Sequence, residues 1–452
     1  APTLYIPQSP SSKHAVVMSA NNEDIDKHIL RRFEFIQKLG KGAYGIVWKC
    51  EDKQTGETVA LKKIFGAFQN ATDAQRTFRE IVFLKEFGDH DNIVLLKEVI
   101  RADNDKDIYL VFEHMEIDLH AVVRANILEE VHKRYIIYQV LKAMKYIHSG
   151  QVLHRDMKPS NLLLNSECFV KVADFGLARS IDAQEDPNQV SMPVLTDYVA
   201  TRWYRAPEIL LGSTKYTKGV DMWSVGCILG ELLGGKPVFP GNSTMNQLDR
   251  IIEVTGRPSP QDIEAIQSPF ASSMLENLPP SHPRSLRHMF PQASDDALDL
   301  FEKLIRFNPD KRITAEEALR HEYVAQFHNE EEEPICKHKI VVPIDDNKKF
   351  SISEYRTKLY NLILSPTNAD AVAAAGTATS AAPTKKKHRS SSTRTKSSGA
   401  EEGAGSGAGA PAKEKEKEKD KDKEKKKKKS SDKSSTDGKE KEKKKKKKED
   451  EE

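Results

Sequence analysis

Cysteine is scarce in this chain of 452 residues, and its four copies, Cys50, Cys168, Cys227 and Cys336, lie far apart without a CxxC pair. This spacing argues against a disulfide framework and offers a zinc site no ligand pattern, so we expect reduced structural thiols in an intracellular protein. No apolar run reaches the roughly 18 residues that a membrane-spanning helix needs. The first 17 residues also lack the basic start and apolar stretch of a signal peptide.

Large apolar side chains are almost absent after about residue 371, so the hydrophobic core must lie upstream. Residues 413–452 contain 20 Lys against 14 Asp and Glu, although the net charge of the whole chain is only +3. Such a low-complexity tract cannot bury enough apolar surface to offset its chain entropy. We therefore predict a disordered, basic Lys/Glu-rich tail over 366–452, and a flexible, polar N-terminal extension over 1–25.

Between these ends, two kinds of hydrophobic periodicity occur. FEFIQKLGKGAYGIVWKC and TVALKKI alternate and are rich in β-branched and aromatic residues, which is typical of strands. Helical spacing dominates further on and places five apolar residues on one face: Ile137, Val140, Leu141, Met144 and Ile147. The order predicts an α+β fold with a small β-rich lobe over about 32–115 and a larger helical lobe over about 116–325.

The stretch GKGAYGIV has the glycine spacing of a phosphate-binding loop. Its candidate nucleotide-binding residues are Gly40, Lys41, Gly42, Ala43, Tyr44, Gly45 and Val47. The same glycines occur in dinucleotide-binding turns, so the motif alone is weak. Strand-like residues on both sides, however, favour a hairpin whose backbone N–H groups lie over phosphates rather than a turn that opens a helix.

The next predicted strand, VALKK, places Ala60 and Lys62 on one face, so Lys62 can meet phosphate oxygens beside a small residue that leaves room for a base. Glu80, in the predicted helix QRTFREIVFLKEF, is the candidate anionic partner of Lys62. The alternatives are a solvated strand lysine and an exposed surface acid.

HRDMKPSN at residues 154–161 and DFG at 174–176 complete a series of five motifs, with the glycine loop and the VALK lysine motif before them and APE after them. Together they resemble a protein kinase, with ATP and Mg²⁺ as cofactors. The resemblance implies that Asp156 orients the substrate hydroxyl and accepts its proton, and that Lys158 neutralises the transferring phosphoryl group, as in serine/threonine kinases. It also implies that Asn161 and Asp174 bind Mg²⁺.

The same resemblance supplies the remaining parts of the site. Glu113 and Met115 correspond to the hinge that meets adenine, and Phe112 corresponds to the gatekeeper before it. Three further residues have stability roles: an ion pair between Glu208 and Arg312, and Asp221, which braces the catalytic loop.

The segment LTDYVATRWYRAPE lies between DFG and APE and contains Thr196-Asp197-Tyr198. Thr-x-Tyr at this place is similar to the activation motif of mitogen-activated protein (MAP) kinases, which implies phosphorylation of Thr196 and Tyr198. A phosphate recruits guanidinium groups. The resemblance assigns Arg79, Arg155 and Arg179 to the phosphate on Thr196. It assigns Arg202 and Arg205 to the phosphate on Tyr198.

Within MAP kinases, GKGAYGIVWK, KKIFGAF, TDAQRTFREI and EFGDHDNI resemble the atypical branch called extracellular-signal-regulated kinase seven/eight, or MAP kinase fifteen. That branch is regarded as activating itself. Asp197 stands where the usual middle residue is Glu, and Thr-Asp-Tyr also occurs in cyclin-dependent-kinase-like enzymes, which are the alternative among kinases. A scaffold that acts mainly through the basic tail is the alternative outside enzymes.

Three expectations concern partners. VATRWYRAPE resembles the substrate-binding region of proline-directed kinases, so we expect the chain to act on Ser/Thr-Pro sites. We also expect it to be a monomer. Glu332 and Glu333, in an acidic docking segment that ends in a C-terminal helix (326–365), match the family's patch for basic docking motifs; a solvated acidic turn is the alternative. The tail lysines suit an anionic partner, a nuclear import signal or solubility alone, with cytoplasm, nucleus or ciliary base as location.

Overall fold

The computed structural model describes residues 2–4, 25–42, 45–88, 90–181, 202–213, 215–280, 283–346 and 348–364. Its strands are β1 (Phe33–Lys41), β2 (Gly45–Asp52), β3 (Thr58–Ile64), β4 (Leu96–Arg101), β5 (Ile108–Glu113), β6 (Ile117–Asp118), β7 (Val152–Leu153), β8 (Leu162–Leu164), β9 (Val170–Val172) and β10 (Arg179–Ser180). Its α-helices are α1 (Lys27–Arg32), α2 (Ala71–Glu86), α3 (Leu119–Ala125), α4 (Glu130–Ser149), α5 (Pro207–Leu210), α6 (Gly219–Gly234), α7 (Thr244–Thr255), α8 (Pro260–Ala265), α9 (Ala271–Glu276), α10 (Leu286–Met289), α11 (Asp295–Leu304), α12 (Ala315–Leu319) and α13 (Ile352–Leu364).

The small lobe is an antiparallel sheet in the order β1-β2-β3-β5-β4. Burial alternates along β2, as expected for a strand whose two faces meet different surroundings. On the outer face, Ile29 of α1, Trp48, Leu61 and Tyr109 form a buried cluster. The opposite face packs with α2 into the main core. The predicted strands are confirmed.

The large lobe is helical and is organised around α4 and α6. The five residues that the periodicity placed on one face of α4 are all fully buried, because that face packs against β9 and α6. Helix α6 is apolar on nearly every side and is buried along most of its length, which is typical of a central core helix. The predicted bilobal α+β architecture is therefore confirmed.

The chain after the large lobe returns to the small lobe through α13. Ser351 and Glu354 form the predicted capping box, in which Glu354 accepts from the Ser351 N–H at 2.9 Å and donates its own N–H to the Ser351 hydroxyl at 3.3 Å. Tyr355 and Leu359 are fully buried, and the Tyr355 ring lies 6.1 Å from that of Phe78 in α2. Helix α13 thus packs along α2.

Part of the N-terminal extension departs from the predicted flexible segment. Leu4 is only 2% exposed, and its N–H donates to the Ser166 carbonyl at 2.7 Å. The Thr3 carbonyl lies 3.2 Å from His132 Nε2. Residues 2–4 therefore pack on the large lobe, through one apolar side chain and two backbone contacts that composition does not reveal. Residues 5–24 and the predicted tail lie outside the described residues, and no helix in the described ranges is long and apolar enough to cross a membrane.

The predicted ion pair between Glu208 and Arg312 lies in the interior of the large lobe. Their side chains are 1% and 0% exposed and meet through two parallel contacts of 2.6 Å. Arg312 also donates to the carbonyl of Gly219 at 2.8 Å and to that of Phe307 at 3.0 Å. Because α5 has only four residues, this pair adds a strong link to the rest of the lobe beside the packing of Leu210 in the core.

We predict that Glu208→Gln lowers the free energy of unfolding by about 3–5 kcal/mol, because it leaves the buried Arg312 charge without a counter-charge. The control is Glu316→Gln, which removes the exposed pair with Arg320 and should cost at most about 0.5 kcal/mol. Urea unfolding followed by circular dichroism measures both. Equal destabilisation by the two variants would contradict this role of the pair.

Candidate active site

The strand register builds one wall of a cleft between the lobes. Val47 pairs with Lys62, and Ala60 pairs with Phe112. Directly opposed residues of an antiparallel pair point to the same face, so these side chains line one surface, as predicted for Ala60 and Lys62. At Gly45 a Cβ atom would collide with the Lys63 carbonyl of β3, so only glycine fits there.

The glycine loop is the β1–β2 hairpin, and the Gly42 N–H donates to the Gly45 carbonyl at 2.8 Å. Gly40 and Lys41 lie at the end of β1 and are exposed. This is the hairpin, rather than the strand-to-helix turn, that the flanking residues predicted. Ala43 and Tyr44, at the tip, lie outside the described residues.

Lys62 and Glu80 form the predicted ion pair, with Nζ and Oε1 2.5 Å apart. Glu80 is 4% exposed, so it is not the surface acid of the alternative interpretation, and Lys62 is not a solvated strand lysine. Burial lowers the pKa of Lys62, but the negative charges of Glu80 and Asp174 outweigh it, and the pKa lies above its ordinary value. Lys62 therefore stays charged and can bind phosphate oxygens.

Asp174 is presented to the cleft by an unusual backbone. Its φ of 64° lies in the left-handed region, which is costly for a non-glycine residue and is common at functional sites. The next side chain, Phe175, is fully buried, and its ring lies 4.9 Å from that of His154 and 5.5 Å from that of Phe87. Since Phe175 is held inward by aromatic packing, the Asp174 carboxylate is left facing the cleft.

The charge state of Asp174 suits a magnesium ligand. Burial raises the pKa of this carboxyl, but the positive charges of Lys62, Arg76 and Lys158 have the larger effect and lower the pKa to about 2. An ionised carboxylate is a hard oxygen ligand of the kind that Mg²⁺ prefers. Arg76 Nη2 lies 3.6 Å from Asp174 Oδ1, a contact that the sequence did not predict.

The catalytic loop brings together three predicted residues. Lys158 Nζ lies 2.6 Å from Asp156 Oδ2. The amide nitrogen of Asn161 donates to the Asp156 carbonyl at 2.8 Å and to its Oδ2 at 3.2 Å. Because the Asn161 nitrogen is directed at Asp156, its side-chain oxygen is the atom suited to a metal ion. The residues present thus fit a site for Mg²⁺ and nucleotide phosphates.

Asp221 braces this loop, as predicted. Its side chain is fully buried and accepts from the N–H of His154 at 2.9 Å and from the N–H of Arg155 at 2.7 Å, and it contacts His148 Nε2 at 3.0 Å. Arg155 has a φ of 67°, so the chain turns sharply just before Asp156. The carboxylate stabilises that turn, because it accepts hydrogen bonds from two backbone N–H groups of the loop.

The predicted hinge residues Glu113 and Met115 lie at the end of β5 and just after it. Phe112 and Met115 are each 8% exposed. Glu113 is fixed by Lys171, whose Nζ lies 2.9 Å from Oε1, and by the Leu95 N–H, which donates to the same oxygen at 2.7 Å. Since its carboxylate is directed at these two groups, the backbone of the hinge is the part suited to contact a base.

The predicted phosphate-coordinating arginines take different places. Arg79 and Arg179 meet at one carboxylate, that of Asp346, whereas the Arg155 guanidinium lies over the Tyr216 ring at 4.9 Å from its centre. Arg202 is buried, and Arg205 lines a small cavity together with Arg155 and Asp156. Thr196 and Tyr198 lie outside the described residues.

The two residues of the predicted docking patch lie in different environments. Glu332 is exposed, together with Glu330 and Glu331, in a short 3₁₀ turn. The Glu333 side chain is fully buried, with Oε1 2.7 Å from His328 Nδ1 and Oε2 3.4 Å from Lys145 Nζ. In this position Glu333 holds the segment against the large lobe rather than facing a docking peptide. The acidic surface is formed by residues 330–332.

Sequence reasoning missed Arg76, His154 as a packing partner of Phe175, and Asp346. Arg76 stands one helical turn before Glu80 in α2, a spacing that could have indicated a second cleft-facing residue. No local pattern marks Asp346, because its partners are 167 or more positions away.

We predict that Asp221→Asn lowers the free energy of unfolding at pH 7 by about 3 kcal/mol, because two backbone donors and His148 lose an ionised partner. Burial raises the pKa of Asp221, but His148 and the backbone donors bring it below its ordinary value. Its contribution is therefore complete above the unfolded pKa of about 3.9 and is lost as the pH falls below it.

Urea unfolding at pH 7, 5 and 3.5 tests this prediction. The difference between the native chain and Asp221→Asn should narrow at pH 3.5. Asp310→Asn, an exposed carboxyl 3.3 Å from Lys215, is the control, and its effect should be at most about 0.5 kcal/mol at each pH. A difference that stays constant across the three pH values would show that charge is not what Asp221 contributes.

Comparison with known proteins places this geometry in a family. Residues 33–324 match the model of the protein kinase domain. The chain is 73% identical over 344 residues to extracellular signal-regulated kinase 2 of Dictyostelium discoideum, a match that covers 76% of this chain and 93% of the relative. It is 58% identical over 344 residues to mitogen-activated protein kinase 15 of Xenopus laevis, covering 75% of this chain and 58% of the relative.

A third relative, extracellular signal-regulated kinase 7 of Drosophila melanogaster, is 48% identical over 346 residues, which is 75% of this chain and 38% of the relative. The frog and fly relatives thus extend well beyond the matched region. The family model, the relatives and the geometry agree: this chain belongs to the protein kinase family and is a serine/threonine kinase of the MAP kinase 15 (extracellular signal-regulated kinase 7/8) type.

Proposed function

We propose that this MAP kinase phosphorylates its own Thr196 and Tyr198 and then acts on Ser or Thr residues that precede Pro. One observation carries the self-activation. The Lys62–Glu80 pair, at 2.5 Å, already joins α2 to the phosphate-binding strand, and Asp156 and Lys158 lie together in the catalytic loop. The groups that transfer a phosphoryl group are thus assembled within this one chain.

The chemistry follows from these positions. The substrate hydroxyl attacks the γ-phosphorus of ATP, the bond to the bridging oxygen of ADP breaks, and the hydroxyl proton passes to the Asp156 carboxylate. Lys62 binds the non-reacting phosphates, and Lys158 offsets the charge on the group in transfer. Asn161 and Asp174 are the residues that would hold Mg²⁺, which would supply positive charge to offset the charge of the phosphates.

The preference for proline rests on a small cavity beside Asp156. Its lining includes the apolar surfaces of Tyr204, Ala206, Ile209 and Tyr216. A proline ring suits these apolar side chains, because its methylene groups can pack on them and it brings no backbone N–H into the cavity. The residue that follows the phosphorylated Ser or Thr is the one that reaches this cavity.

Self-activation predicts that the chain produced in bacteria, which supply no MAP kinase kinase, carries phosphate on both Thr196 and Tyr198. An Asp174→Ala chain produced in parallel should carry phosphate on neither, because it lacks a magnesium ligand. Intact-mass and peptide mass spectrometry measure the occupancy of each residue. A cooperative thermal transition confirms that each chain is folded, and binding of ATP is measured for the native chain.

The outcomes separate the alternatives. If neither Thr196 nor Tyr198 carries phosphate in a native chain that is folded and binds ATP, another kinase must act, and self-activation is wrong. Phosphate on both residues in the Asp174→Ala chain would point to a bacterial kinase as the source. Phosphate on Tyr198 alone would limit the intrinsic reaction to the tyrosine.

Proline direction is tested with two peptides that differ only in the residue after Ser, Pro in one and Ala in the other. We predict that kcat/KM for the Pro peptide is higher by at least about tenfold, the factor that corresponds to about 1.4 kcal/mol in the transition state. Steady-state assays with radiolabelled ATP measure both values. Equal values would show that the cavity does not read this position.

A further inference from the structure

Asp346 lies at the junction of three elements that are distant in sequence. Its Oδ1 accepts from Arg79 Nε of α2 at 2.6 Å, and its Oδ2 lies 3.4 Å from Arg179 Nη1 of β10. Gln75, one turn earlier in α2, donates to the Asp346 carbonyl at 2.9 Å and to Oδ1 at 3.3 Å. Both carboxylate oxygens are thus engaged, one by each guanidinium.

The contact is well shielded from solvent. The Arg79 side chain is 7% exposed, and those of Arg179 and Asp346 are each 17% exposed. Contacts between ionised partners in such surroundings are screened less than surface ion pairs are, and they are stronger than neutral hydrogen bonds. Removing the carboxylate would leave the positive charges of Arg79, which is buried, and Arg179, which is half-buried, near each other without this anion.

The two arginines lie next to the catalytic groups. Arg79 directly precedes Glu80, so the force that holds Arg79 also sets the rotation and height of α2 at the Lys62–Glu80 pair. Arg179 follows Asp174 by five residues and pairs, through β10, with Leu153 at the start of the catalytic loop. One carboxylate therefore connects the helix that carries Glu80 with the segment that carries Asp174.

Asp346 is itself anchored from both sides. Before it, the Ile340 N–H donates to the Gly150 carbonyl at 2.9 Å, and the Ser180 hydroxyl donates to the Ile340 carbonyl at 2.8 Å. After it, α13 packs on α2, where Lys85 Nζ donates to the Leu362 carbonyl at 3.1 Å. The segment is thus fixed to the large lobe at one end and to the small lobe at the other.

We propose that Asp346 is a positioning residue of the kinase reaction. Its carboxylate supplies the negative charge that Arg79 and Arg179 need to hold α2 and the Asp174 segment in the paired arrangement before Thr196 is phosphorylated. An internal anion of this kind explains how an unphosphorylated chain can have enough activity to begin phosphorylating itself. One consequence rests on the proposed function: phosphate on Thr196 brings a second anion to these arginines, and the dependence on Asp346 then falls.

The first experiment is independent of self-activation. The full chain carries Thr196→Ala and Tyr198→Phe, so that neither residue can be phosphorylated, and is compared with the same chain bearing Asp346→Asn, Asp346→Glu or Asp345→Asn. Asp345→Asn makes the same charge change at the neighbouring, exposed position. Steady-state assays give kcat and the KM for ATP, and thermal unfolding shows whether each chain is folded.

We expect Asp346→Asn to lower kcat by about tenfold, because the charge-assisted contacts with Arg79 and Arg179 both lose their anion. Asp346→Glu, which keeps the charge, should recover most of that loss, and Asp345→Asn should have the kcat of the parent chain. Equal kcat for Asp346→Asn and Asp345→Asn would overturn the proposal. A loss that Asp346→Glu does not recover, in a folded chain, would overturn it as well.

A second comparison tests whether Asp346 acts through Arg79. If it does, Arg79→Gln should lower kcat less in the Asp346→Asn chain than in the parent chain, because the interaction between Arg79 and the Asp346 carboxylate is already absent. Additive losses would overturn this route.

The last comparison uses chains with intact Thr196 and Tyr198 that mass spectrometry shows to be phosphorylated. Asp346→Asn should then retain activity within about threefold of the native chain, since the phosphate supplies the charge. If Asp346→Asn lowers activity tenfold in the phosphorylated chain as well, Asp346 is still a positioning residue. The idea that phosphate on Thr196 takes over its charge would then be wrong. Failure of the chain to phosphorylate itself would refute the proposed function without affecting the unphosphorylated series.

Discussion

The catalytic loop depends on one buried carboxylate, that of Asp221. The loop turns through a left-handed residue, Arg155, and such a turn leaves consecutive backbone N–H groups without partners in any regular element. Asp221, fully buried in α6, accepts from two of them. The most deeply buried helix of the large lobe thereby determines where Asp156 lies, so the rigidity of the core is passed directly to the reacting group.

Helix α2 is the second constraint, and its two neighbouring charges serve different partners. Glu80 reaches into the cleft to Lys62, whereas Arg79 reaches away from it to Asp346. Adjacent helical residues point about 100° apart, so one helix can contact the nucleotide-binding strand and the C-terminal segment together. The position of the catalytic ion pair is therefore shared between the small lobe and a segment that follows the large lobe.

Much of this arrangement could be predicted from local patterns. Alternation predicted β1 to β3, helical spacing predicted the buried face of α4, and Ser351 with Glu354 predicted the start of α13. The five kinase motifs indicated the cleft residues, and the structure brings Lys62 to Glu80 and Lys158 to Asp156. The sequence predicts a docking patch on both Glu332 and Glu333, yet Glu333 turns inward to His328 and Lys145, because exposure within an acidic run depends on the neighbouring helix.

The sequence by itself determined the fold class, strands β1 to β3, helix α4 and the start of α13, and its motifs indicated the candidate reacting residues, because period, capping and motif spacing all act over a few neighbouring positions. Only the tertiary structure decided which charges meet. Arg79 and Asp346 are 267 positions apart, and neither is marked by its neighbours. They come together because α13 packs an apolar face on α2 and carries the preceding segment with it, so the packing of a core placed an ion pair that no local pattern contains.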